Sequence, residues 1–187
     1  SDVYDLLYFN ALKGDADGAG LLAYNTLSAE PIMGLEGGRP LFTHTPDATF
    51  TLANAFRVQL MSVFAAVRIG LDILADEGVG LDKVFAHGGL FKTKGVGQKI
   101  LAGAIDTPVY VMETAGEGGA WGIALLASYM KNKKAEESLT DYLAAHVFGG
   151  EEGARMEPDP ADAAGFEKFM QLYKAGLAIE RAAVDMM

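Results

Sequence analysis

The chain has 187 residues, 50% of them apolar and 21% charged, which suits a folded globular unit with a sizeable core. Its formal net charge of -10 argues against non-specific nucleic-acid binding, which needs a basic surface. With no cysteine, disulfides, thiol catalysis and a cysteine-based zinc site are excluded, and His44, His87 and His146 lie too far apart in sequence for a metal-ligand spacing.

Residues 1–13 place Val3, Leu6, Leu7 and Leu12 at helical spacing, with Tyr4 and Tyr8 on an adjoining stripe. The pattern begins in mid-helix at Ser1, without an initiator methionine, so a fragment of a longer protein is expected. Gly14, Asp15, Ala16, Asp17 and Gly18 then form a loop by composition. Its two carboxylates lack the further ligands of a calcium loop, so it reads as a turn. A strand is expected over 20–26, a loop over 28–40 and a second short strand over 41–44.

Residues 47–77 carry the best helix of the first half, capped by Thr51 or Asp47 and closed by Gly78 and Gly80. Its apolar face is broad enough to predict burial on most of its girth, with the aromatics in the core. Within it, residues 56–74 form the longest apolar stretch, but Arg57, Gln59, Arg68 and Asp72 interrupt it. No signal peptide or membrane span is read, and a cytoplasmic location is the expectation.

Residues 83–130 carry the strongest functional signal. Strands over 83–87 and 108–112 alternate with helices over about 94–105 and 118–132, a pattern that predicts parallel strands joined by a crossover. The first strand runs into Gly88-Gly89, and the second into Gly116, Gly118, Gly119 and Gly122. Glycine there admits positive φ and lets a ligand approach the backbone, and helix N-termini beyond favour an electron-rich group. In open sheets of this kind ligands sit at the carboxyl ends of the strands, where both turns fall. From Lys83 to Ile105 there is no acidic residue, while Lys83, Lys92, Lys94 and Lys99 fall there. Those lysines read either as a solvated helix start or as a cationic rim for a polyphosphate.

Glu113 and Glu117, on the second turn, could bind a sugar hydroxyl, a metal-bound water or the chain's own amides. Residues 131–137 are a solvated charge run, 138–147 a short amphipathic helix ended by Phe148-Gly149-Gly150, and 161–184 the last helix. No serine–histidine, cysteine–histidine or metal cluster can be assembled, and neither a Walker loop nor a Gly-x-Gly-x-x-Gly turn is present.

One spacing makes the glycine turns specific. Val84-Phe85-Ala86-His87-Gly88-Gly89 is followed by Gln98, ten positions after the first glycine. A short Pro108-Val109 strand, the acidic turn with Glu113 and Glu117, and the small-residue helix from Ala120 to Ala127 come next. In these features the chain resembles the C-terminal domain of the FGGY carbohydrate kinases, the family of glycerol, xylulose, ribulose and gluconate kinases. Residues 42–61, with Asn54 and Arg57, are similar to the family's second signature, although Met61 stands where a carboxylate or amide is usual. Two further departures are Ala102-Gly103, where the family usually has Ala-Asp, and Thr93, where it has Asn or Ser.

The resemblance implies an α/β, ribonuclease H-like (actin-like ATPase) lobe, a mixed sheet flanked by helices. Residues 1–187 would be the C-terminal, nucleotide-binding lobe of a two-lobe sugar kinase, with the N-terminal sugar-binding and catalytic lobe absent. The implied reaction is transfer of the ATP γ-phosphoryl group, with Mg²⁺, to a sugar hydroxyl, a pentulose such as xylulose being favoured. Gly88 and Gly89 would face adenine or ribose, Leu90 and Thr93 would wall the base, and Lys92 and Lys94 would lie in reach of ribose or phosphate. Glu113, Gly116 and Glu117 would form a second turn at the site. No catalytic or metal-binding residue is assigned, so the isolated chain is expected to bind nucleotide weakly and phosphorylate no sugar. Its expected partners are ATP, a small sugar and the N-terminal lobe, with room for a homodimer through the C-terminal helices, and neither nucleic acid nor membrane. A non-catalytic nucleotide-binding or interaction module on the same fold, or another actin-like phosphotransferase, is the alternative.

Overall fold

The longest apolar run becomes helix α2, Leu52–Asp76, in the computed structural model, which describes residues 2–148 and 153–186. Thr51 serves as its cap, the hydroxyl oxygen accepting the Asn54 N–H at 3.1 Å. One side of α2 buries Val58, Leu60, Met61, Phe64 and Ala65 against helix α1, Asp2–Ala11, and strand β1, Leu21–Tyr24. The expectation of burial on most of its girth is wrong. Val63, Val67, Ile73 and Leu74 remain exposed, because the neighbouring elements cover one side of a helix that is apolar all round. By length and hydropathy α2 could cross a membrane, but it carries buried Asn54 and Arg57 and packs as a core helix.

β1 pairs antiparallel with β2, Leu41–His44, in the register Leu21↔His44 to Tyr24↔Leu41. A second, mixed sheet has the order β3–β4–β5, from Val84–Ala86, Val109–Val111 and Ala154–Met156. β3 and β4 run parallel, as their spacing predicts, while β5 returns antiparallel with Tyr110 opposite Arg155. β5 was not anticipated, since three residues are too few for alternation to register.

Helix α3, Val96–Ile105, connects β3 to β4 and is almost wholly buried. It begins two residues later than expected, because Gly89–Lys92 form a 3₁₀ turn and Gly95, at φ 83°, caps the helix in a left-handed conformation. Helices α4, Gly118–Asn132, and α5, Leu139–His146, follow β4. They meet through the Tyr129 and Tyr142 rings and a 2.9 Å contact between the Ser128 and Tyr142 hydroxyls. The small residues of 120–127 do not pack α4 tightly on the sheet. α4 buries no residue, and a Cβ added at Gly119 or Gly122 would meet nothing within 4 Å. The expected Gly149-Gly150 stop lies outside the described residues.

Helix α6, Pro160–Asp185, closes the core with Phe166, Phe169, Met170, Tyr173 and Leu177. Asp159 caps it, its carboxylate held below the usual range by the N–H groups of Ala161 and Asp162. Asp162 bonds Arg57 of α2 at 2.5 Å, with Lys99 of α3 3.4 Å away on its other oxygen. Farther along, Arg68, Asp72, Glu167 and Lys174 form a second network between α2 and α6. Beyond it, buried Glu180 accepts the Thr26 hydroxyl at 2.6 Å and the Arg39 N–H at 2.9 Å, fixing the loop between β1 and β2.

Candidate functional site

Parallel pairing of β3 and β4 brings their carboxyl ends together, so the two glycine turns stand side by side. At the first, Gly88 has φ 121°, a conformation that favours glycine, and its carbonyl accepts the Phe91 N–H at 3.1 Å to start the 3₁₀ turn. A Cβ added at Gly88 or Gly89 would meet nothing within 4 Å, so the backbone there is open to an approaching group. At the second turn, Glu113–Glu117 wind into a 3₁₀ segment that leads straight into α4.

Between the turns and β5 lies a cavity of about 1020 Å³. Lys92, Lys94, Glu113 and Gly116 line it, joined by Gln98, Arg155 and Met156. Arg155 is a cation that sequence reasoning missed, because nothing in a three-residue strand marks it, and it pairs with Glu157. Lys92 reaches across to Glu117 at 2.9 Å. Gln98 is buried, and its amide donates to the Val109 carbonyl at 2.8 Å and the Ala154 carbonyl at 2.6 Å. That side chain ties α3 to both β4 and β5, which gives the ten-residue spacing a structural reason.

Other expected site residues point elsewhere. Leu90 faces a separate apolar cavity of about 740 Å³ with Tyr4, Tyr8 and Phe56. Thr93 is buried, and its hydroxyl donates to Asp5 of α1 at 2.5 Å. The four lysines do not form one rim. Lys99 faces Asp159 and Asp162, and Lys83 lies over the Phe85 and Tyr110 rings, which leaves Lys92 and Lys94 at the cavity. His87 lies against Gly118, where a Cβ would stand 2.9 Å from its own, and stacks on Trp121 with ring centroids 6.2 Å apart. The side chain before the first glycine turn thus touches the helix after the second. Among the described residues no group of three or more histidine, aspartate or glutamate side chains could hold a metal ion.

A mixed sheet flanked by helices, its parallel pair ending in glycine turns, has the architecture of an actin-like ATPase-type lobe. The family model for the C-terminal domain of the FGGY family of carbohydrate kinases matches residues 2–130, and the chain belongs to that family. Comparison with curated proteins by sequence found no match. Among solved structures, gluconate kinase from Lactobacillus acidophilus superposes with a TM-score of 0.74 at 17% identity, over 97% of this chain and 35% of that one. Xylulose kinase from Rhodospirillum rubrum gives 0.66 at 20% identity, over 97% and 34%. Plasmodium falciparum glycerol kinase, solved with ADP, gives 0.62 at 18% identity, over 94% and 33%. The chain therefore spans about a third of the length of the kinases it matches.

Proposed function

We propose that this chain is the ATP-binding lobe of a sugar kinase that transfers the ATP γ-phosphoryl group to a sugar hydroxyl, a pentulose such as xylulose being the favoured acceptor. The observation that carries the reading is the open glycine turn at Gly88 and Gly89 beside a cavity lined by Lys92, Lys94 and Arg155. In an acidic protein such a cationic cavity attracts polyphosphate, and bare backbone at Gly88 and Gly89 lets the nucleotide approach without a Cβ in its way. The membership in a carbohydrate kinase family and the xylulose kinases among the similar structures support the acceptor class. Mg²⁺ would come bound to the phosphates. This lobe's part is to hold and orient the nucleotide, and the chemistry belongs to the lobe that binds the sugar.

The test is titration with ATP followed by Trp121, the single tryptophan, whose stacking on His87 places it beside the first turn. We expect saturable binding by the wild-type chain, loss of it in Gly89→Val, and no phosphorylation of xylulose by the chain alone. Gly89→Val has open space around it and should fold normally. Undiminished ATP binding in that variant would sink the assignment of the site.

A further inference from the structure

Lys92 belongs to the first turn and Glu117 to the second, and their 2.9 Å ion pair spans the gap between them. Burial does not hold it, since the two side chains are 59% and 75% exposed. Gly116 does. A Cβ there would lie 2.9 Å from Lys92 Cε and 3.1 Å from Cγ, so its absence lets the lysine stem lie flat across the second turn and reach Glu117. Glu113 lines the same cavity but forms no ion pair among the described residues, which leaves it as a built-in comparison.

We propose that Glu117 is a positioning residue that holds Lys92 across the two turns and surrenders it to the phosphates of an entering ligand, making the pair an exchangeable latch on the cavity. The proposal rests on the nucleotide reading above. An exposed ammonium–carboxylate pair holds by a factor of only about 1.4 to 5. A triphosphate, with several charges on one group, outcompetes such a partner, whereas a ligand no more charged than a carboxylate gains little by displacing it. The latch keeps Lys92 oriented along the second turn while the site is empty and favours polyphosphates over singly charged anions.

Calorimetric titration with ATP of the wild-type chain, Glu117→Gln, Glu113→Gln, Lys92→Met and the Lys92→Met/Glu117→Gln double variant tests it. Freed of its competitor, Lys92 in Glu117→Gln should bind ATP about two- to fivefold more tightly. Glu113→Gln removes the same charge, from a residue that lines the cavity with Lys92, without freeing a lysine, and should change affinity less than half as much. In the Lys92→Met background the Glu117 substitution should have no effect, a coupling that a change in the general field would not produce. All three positions are exposed, so thermal unfolding should be unchanged. Equal tightening by the two glutamine variants, or a gain that survives without Lys92, overturns the latch. ATP bound equally by wild type and Glu117→Gln overturns the latch alone and leaves the nucleotide site standing. No ATP binding by any of the chains overturns both.

Discussion

Gly176→Ala should be among the more damaging single-methyl additions in this protein. Gly176 lies on the buried face of α6, and a Cβ there would overlap the Tyr24 hydroxyl and stand 3.2 Å from Tyr24 Cζ and 3.4 Å from Leu22 Cδ1. Tyr24 has nowhere to go: it is 1% exposed, its ring lies 4.6 Å from that of Tyr173, and its hydroxyl donates to the Tyr173 carbonyl at 2.9 Å. Overpacking of this kind costs about 1–3 kcal/mol, and stranding the buried hydroxyl costs about 1–3 more. Alanine returns about 1 kcal/mol as the better helix former, so the net loss should be about 3 kcal/mol. Urea unfolding followed by far-ultraviolet circular dichroism measures it, with the m-value unchanged. The decisive comparison is with Tyr24→Phe, which alone should cost about 1 kcal/mol for the lost hydrogen bond. In its background the overlapping atom is gone, and Gly176→Ala should add less than about 1 kcal/mol. Additive losses in the double variant would refute the overlap as the cause.

The same tyrosine predicts an alkaline limit. Burial, with Tyr173 and Glu180 nearby, holds the Tyr24 hydroxyl well above the ordinary phenol range, and burial raises Tyr173 as well. The folded chain thus keeps protons that the unfolded chain releases near its phenol pKa of about 10. Stability should be level below that pH and fall above it, and urea midpoints between pH 9 and 11 should fall less steeply in Tyr24→Phe. Gln98→Leu should cost about 2–4 kcal/mol by leaving the Val109 and Ala154 carbonyls without their donor. Amide exchange in β5 should accelerate before exchange in β3, because Gln98 is the side chain that ties Ala154 to α3.

The elements that chain pattern made legible were those with local causes. Thr51 caps α2 because a threonine precedes an apolar helical repeat, and β3 and β4 pair in parallel because a helix lies between two short apolar runs. Lys92, Lys94, Glu113 and Gly116 were found for the same reason: turns after parallel strands must meet at one end of the sheet. Partners distant in sequence left no such mark. Thr93 turns toward Asp5, 88 positions away, and Lys99 toward carboxylates of the last helix and its cap, so neither fate could be read within the segment. The exposure of α2 was hidden for a related reason. Hydrophobicity records which residues could be buried, and only the surrounding elements decide which are.

Gly103 shows how a departure from a family pattern can be a relocation. The resemblance places a carboxylate after Ala102, and its absence reads in sequence as a lost interaction. In the fold, α3 and α6 cross so closely that a Cβ at Gly103 would lie 2.9 Å from Asp162 Cβ. The space that a side chain at 103 would occupy is taken by Asp162 Cβ and the α6 backbone, and α6 supplies a carboxylate beside it. Asp162 then bonds Arg57, the arginine of the second signature, and sits 3.4 Å from Lys99, one turn before Gly103 on the same face of α3. Arg57 is 3% exposed, and a buried guanidinium without a carboxylate would be strongly destabilising. Glycine at 103 and aspartate at 162 are therefore two parts of one solution: the first makes room for α6, and the second brings the charge that Arg57 requires. The consequence reaches the site, because α3 is the helix whose Gln98 ties β4 to β5 beneath the cavity. α6 lies outside the segment that carries the family signature, yet through Asp162 it sets the position of the helix on which the paired turns rest.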